Sequence, residues 1–121
     1  MKANKIVYYI ATGLLSALML MSAGMYFGNY DMVSATFAAL GYPTYIIYPL
    51  AVAKILGVAA IWTRLHPTLV EWAYAGFFFD VVLAMFAHIA VKDGEFAPAA
   101  VGMLLVLTSY LFYRRNFVAA T

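Results

Sequence analysis

With 121 residues, of which 67% are hydrophobic and 10% charged, and a mean hydropathy of +0.92, the chain is too apolar for a water-soluble globule, where about half of the residues are apolar. A net charge of +2 gives no footing for nucleic acid. The absence of cysteine excludes a thiol nucleophile, a disulfide relay and a cysteine-held iron–sulfur cluster within this chain.

Four spans of about 20 residues consume nearly all of the length. The sequence therefore predicts a single all-α transmembrane domain over residues 1–121, a polytopic four-helix bundle with its chemistry in or at the bilayer. The first span runs from Ile6 to Phe27, an apolar stretch longer than the core of a cleaved signal peptide. Between the first and second spans, Asp31 reads as a helix N-cap, Val33, Thr36, Phe37 and Leu40 recur at helical spacing, and Gly41 reads as a stop. This is a short helix at the membrane surface.

The second span, 45–65, and the third, 69–90, are separated by "HPT". Pro67 lacks an N–H and disfavours helix in the residue before it, so a tight hairpin forms there and the two spans are antiparallel neighbours. After the turn "KDGEFAP" the fourth span covers 98–113, opening at Pro98 and ending before Arg114 and Arg115, which snorkel to the interface.

Orientation follows from charge. Lys2, Lys5, Arg64, Arg114 and Arg115 fall on one side of the four spans and Lys92 on the other. By the positive-inside rule both termini are cytoplasmic. Tyr8, Tyr9, Trp62, Trp72 and Tyr113 fall at the inner interface, and Tyr26, Tyr30, Tyr42 and Tyr45 at the outer one.

Asp80 interrupts the third span, where a charge costs about 2.5 to 3.5 kcal/mol at the bilayer centre. Asp80 lies 13 residues after Pro67 and Lys54, the cation inside the second span, 13 before it. At about 1.5 Å per residue both stand near 20 Å from the turn, at equal depth. An ion pair is the cheapest arrangement, with Ala51, Gly57 and Val58 around Lys54 letting the backbones approach. It either staples two helices or serves as a site for a polar ligand group or a proton. Ser16, at similar reckoned depth, is expected to donate to the remaining carboxylate lone pair.

Two further groups stand out. On the outer rim His88, on the Asp80 ridge, is expected to meet Tyr42, Tyr45 and Tyr48 beneath the surface helix. At the inner interface Glu71 and Trp72 mirror Arg64 across the hairpin, as an ion pair with an aromatic anchor. Met19, Met21 and Met25 read as packing, because no cysteine or histidine accompanies them to hold copper. Gly24 and Gly28 form a GxxxG. No residue set reads as catalytic and none as metal-binding.

"LGYP" at Leu40 to Pro43, "KILG" at Lys54 to Gly57, "EWAYAGFFFD" at Glu71 to Asp80 and "AHIAVKDG" at Ala87 to Gly94 together resemble the DoxX-like family of small bacterial membrane proteins. The resemblance implies a four-helix membrane fold with the Lys54 and Asp80 positions among its recurring features. It also implies a setting: founding relatives are subunits of a thiosulfate:quinone oxidoreductase, others belong to oxidative-stress complexes, and a eukaryotic relative is an assembly chaperone. Two roles follow. The chain is a non-catalytic bundle that binds a lipid-soluble ligand such as a quinone or a lipid, or serves as the membrane subunit of a redox complex. Alternatively it is an assembly module whose ion pair fixes the fold, with a second copy or a membrane partner as its target.

Overall fold

A computed structural model describes residues 2–91 and 97–118, all of whose regular elements are helical. They are α1 (Lys2–Gly28), α2 (Tyr30–Ala39), a 3-10 turn (Thr44–Ile46), α3 (Ile47–Thr63), α4 (Pro67–Val91) and α5 (Ala97–Phe117). Four of these stretches are long and apolar enough to cross a membrane: Ala3–Gly28, Thr44–Thr63, Pro67–Ala90 and Ala97–Phe117. The turn expected at Asp93 and Gly94 lies outside the described residues.

The long helices pack in a ring. α1 lies against α3 and α5, and α4 closes the ring between those two, the up-down-up-down order that short connections impose. Asn116 Nδ2 donates to the Asn4 carbonyl at 3.1 Å, so both chain ends meet at one end of the bundle, here the terminal end. The core is a stripe at three- and four-residue spacing: Tyr8, Leu15 and Met19 on α1, Ile61 on α3, Val70, Tyr74, Phe77 and Val81 on α4, and Val106 and Tyr113 on α5. Ile10, Leu14, Leu56, Phe79, Phe86 and Leu104 are each more than half exposed on the outside. An apolar exterior around an apolar core is the pattern of a multi-pass membrane protein, with lipid in the place of water.

Local chemistry explains the boundaries. The α1 backbone ladder runs through Asn29, whose N–H bonds Met25 and whose carbonyl accepts from Val33. Asn29, rather than Asp31, is therefore the N-cap residue of α2, without a side-chain cap bond; Asp31 sits in the first turn, where a carboxylate favours the helix dipole. At the other end Tyr42 N–H bonds the Phe37 carbonyl, Gly41 N–H bonds that of Ala38, and Gly41 has φ +83°. This is a Schellman stop, with the Phe37 and Tyr42 rings in contact. Pro49, within the first turn of α3, removes no helical bond. Pro67 opens α4, and His66 Nδ1 accepts from the Thr68 N–H at 3.2 Å as its cap. α5 continues a turn beyond the expected Tyr113, because Arg114 pairs with Glu71 and Asn116 with Asn4.

The α3–α4 register is symmetric about Pro67. Gly57 and Phe77, each ten residues away, meet so closely that a Cβ on Gly57 would lie 2.7 Å from Phe77 Cζ. Gly57 thus leaves room for the tip of the Phe77 ring, and that register carries Lys54 and Asp80 to the same level.

Candidate functional site

Lys54 Nζ stands 3.7 Å from Asp80 Oδ2. The ammonium also donates to Ser22 Oγ at 2.7 Å and to Tyr26 OH at 3.0 Å, with the Tyr26 ring centroid 4.2 Å away. Two of its N–H donors are thereby hydrogen-bonded, and Asp80 at 3.7 Å balances the charge without a hydrogen bond of normal length. Lys54 is 5% exposed, so α3 delivers a dry cation to a seat built by α1 and α4.

Asp80 is different. A quarter of its side chain, 26%, is open. Gly76, one turn before it on the same ridge, is exposed and has no neighbouring atom within 4 Å of where a Cβ would point. One carboxylate oxygen faces the cation, and a quarter of the side chain is open toward the outside of the bundle, next to the open space at Gly76. A carboxylate accepts about four hydrogen bonds, so acceptor capacity remains.

Ser16 does not belong to this cluster. Its Oγ accepts from Trp62 Nε1 at 2.7 Å, and Trp62 lies eight residues nearer the hairpin than Lys54, about 12 Å along α3. The α1–α3 register instead brings Ser22 and Tyr26 to Lys54. Both are legible from the far end: Ser22 stands six residues before the end of α1 and Lys54 seven after the start of α3.

The outer-rim residues do not gather into one site. Tyr42 OH donates to the Leu83 carbonyl at 2.8 Å, tying the α2 connection to α4. Tyr48 stacks on Tyr30 and Phe27. Tyr45 is 80% exposed and turned outward, because the 3-10 turn rotates it away from the bundle. His88 is half-buried in the last turns of α4. Phe37 packs edge-on against Tyr26, so the surface helix rests on a ligand of Lys54.

At the terminal end Glu71 pairs with Arg114 at 3.1 Å rather than with Arg64. Arg64 is drawn instead over the Phe117 ring, 4.1 Å from its centroid, with Nη1 3.5 Å from Tyr8 OH. Trp72 is 67% exposed and faces outward, while Trp62 stacks with Tyr9. Sequence reading also missed a buried neutral cluster: Ser109 Oγ is bonded to Thr12 Oγ1 and to Tyr74 OH. The signal was the Gly102, Val106, Ser109, Tyr113 stripe of α5, which places one hydroxyl on the core face.

Among the described residues no three His, Cys, Asp or Glu side chains gather to hold a metal. A shallow apolar groove of about 260 Å³ lies between α1 and α5, lined by Ile10, Leu14, Leu104 and Thr108 among others, away from the ion pair.

The family model for DoxX-like proteins matches residues 10–110. The chain belongs to the DoxX-like family. The match takes in all of the Lys54 cluster and most of the Ser109 cluster's helices, and stops short of Arg114. Comparison with curated proteins and with solved structures finds no match. For this DoxX-like chain the arrangement offers one chemistry within the bilayer: a satisfied cation holding a carboxylate whose remaining lone pairs are open to a hydrogen-bond donor.

Proposed function

We propose that this DoxX-like protein is a non-catalytic membrane subunit that binds the polar head of a lipid-soluble molecule at Asp80, with Lys54, Ser22 and Tyr26 holding the carboxylate in place. The observation that carries this reading is the asymmetry of the pair. A staple is best served by two enclosed charges; here the cation is enclosed and the anion is a quarter open, beside the exposed Gly76. A quinone-class ligand fits in its hydroxyl-bearing form, since Asp80 offers acceptors on its open side, whereas Lys54 is buried and already donates to Ser22 and Tyr26. Such a molecule supplies redox chemistry when bound; the chain supplies binding and orientation, in keeping with a subunit of a quinone-linked complex.

Native mass spectrometry of the protein extracted with its own lipids tests this. The wild type is expected to carry a retained quinone or related hydroxylated lipid that Asp80→Asn loses. An adduct held equally by both proteins refutes the reading.

The accompanying location is a bacterial inner membrane, in keeping with the family resemblance, and charge asymmetry supports cytoplasmic termini. Met32→Cys, exposed on α2, is expected to react with an impermeant thiol reagent in intact cells, and Thr68→Cys in the hairpin to stay protected. The assembly-module alternative draws on Gly24 and Gly28, exposed with open space at each Cβ position, a surface suited to a second helix. Disulfide capture of Gly24→Cys in membranes tests it.

A further inference from the structure

Among the described residues Arg64 is the one non-glycine with positive φ, +48°. It is the C-cap of α3, with its N–H on the Ala60 carbonyl. Glycine is the default at a left-handed helix stop, because a Cβ there is strained. An arginine in that conformation costs stability, which the contacts of its side chain have to offset.

The left-handed turn folds the guanidinium back onto the bundle, over Phe117 and beside Tyr8 OH. One long hydrogen bond engages a group with five N–H donors, and no other acceptor meets it among the described residues. The neighbouring cations differ. Arg114 is neutralised by Glu71, and Arg115 is exposed over Phe112. Arg64 is half-buried and carries its charge without a carboxylate. Trp62, two residues before it on α3, stacks on Tyr9, and such aromatics mark the headgroup level of a membrane. Lys5, Arg64, Arg114 and Arg115 gather at the terminal end, where the one acid of the described helices is Glu71, already taken.

The geometry points to a binding site at Arg64 for the phosphodiester of an anionic phospholipid in the leaflet at the terminal end. A planar fork with spare donors suits two phosphate oxygens. Phe117 and Tyr8 fix the fork in advance, so little side-chain freedom is lost when the phosphate docks. The acyl chains then run along the apolar outer faces of α1 and α3. Nothing in this site involves Asp80, which stands mid-bundle.

The test compares phosphatidylglycerol with phosphatidylcholine on delipidated protein in detergent, by native mass spectrometry of bound lipid and by thermal shift. Wild type is expected to prefer phosphatidylglycerol. Arg64→Gly, which relieves the backbone and removes the guanidinium, is expected to lose that preference about tenfold, the scale of a charge-assisted hydrogen bond. Arg64→Asn, also tolerant of the left-handed region, serves as a second variant and is expected to behave alike. Arg115→Gln, removing an exposed charge, is expected to lose less than about threefold. A preference surviving in both Arg64 variants overturns the proposal. So does an equal loss in Arg115→Gln, which would mean diffuse charge. Inorganic phosphate reproducing the thermal shift would mean a free-anion site and likewise overturns the lipid assignment.

Discussion

Thr12, Ser109 and Tyr74 form one polar cluster in the bundle, and Lys54, Asp80, Ser22 and Tyr26 another, the two separated along α4 by the six residues from Tyr74 to Asp80, about 9 Å. The first is neutral, joins α1, α4 and α5, and is closed: all three residues are buried and Ser109 serves both partners. The second is charged, joins α1, α3 and α4, and is open on one side. A closed neutral cluster locks helix register and has no capacity left for a ligand. An open charged one keeps acceptors in hand at a depth where water cannot fill them cheaply. On the proposed reading, the difference separates a structural device from a ligand site within one small bundle.

Several substitutions break or sharpen that contrast. The largest effect is expected for Lys54→Met, which strands Asp80 and removes the donor to Ser22 and Tyr26. Breaking a buried pair from one side costs about 3 to 5 kcal/mol. Adding Asp80→Leu is expected to return much of that loss, and a double-mutant cycle in detergent measures the coupling; additive losses would mean the charges act independently.

Gly57→Ala comes next. The new methyl meets the tip of the buried Phe77 ring, which must shift, at about 1 to 3 kcal/mol for an overpacked core position. Chemical denaturation is expected to show that loss together with weakened ligand retention, since the same contact sets the Lys54–Asp80 level. Ser109→Ala tests the closed cluster. It leaves the Tyr74 and Thr12 hydroxyls without their shared partner, at about 1 to 2 kcal/mol. A lowered melting temperature with ligand retention unchanged is the expected outcome, and loss of the ligand would mean that the two clusters work together. The smallest effect is expected at Glu71→Gln, whose pair with Arg114 is largely exposed, at under about 1 kcal/mol and diminished further by salt.

How much of this was legible in the sequence depended on what fixed each position. The hairpin at Pro67 left one register open to α3 and α4, so counting residues from it placed Lys54 opposite Asp80. The α1 register had no such anchor. It is set by Trp62 on Ser16 and by the bend at Asn29, and reckoning from the first apolar residue chose Ser16 where the fold uses Ser22. Glu71 was misassigned because helix neighbours across the ring, here α4 and α5, are invisible to a count along the chain. Tyr45 went astray through a single 3-10 turn, which sequence periodicity does not register. Thr12 and Ser109 look like ordinary small residues until the ring closes and puts them in contact.

Photo-crosslinking in native membranes with a quinol analogue carrying a photoreactive group on its ring tests the open site most directly, read out by peptide mapping. Label is expected on the α4 ridge around Gly76 and Asp80 and on α1 near Ser22 and Tyr26, and Asp80→Asn is expected to abolish it. Label confined to the apolar groove between α1 and α5, or unchanged by Asp80→Asn, would contradict the assignment of the ion pair as a ligand site.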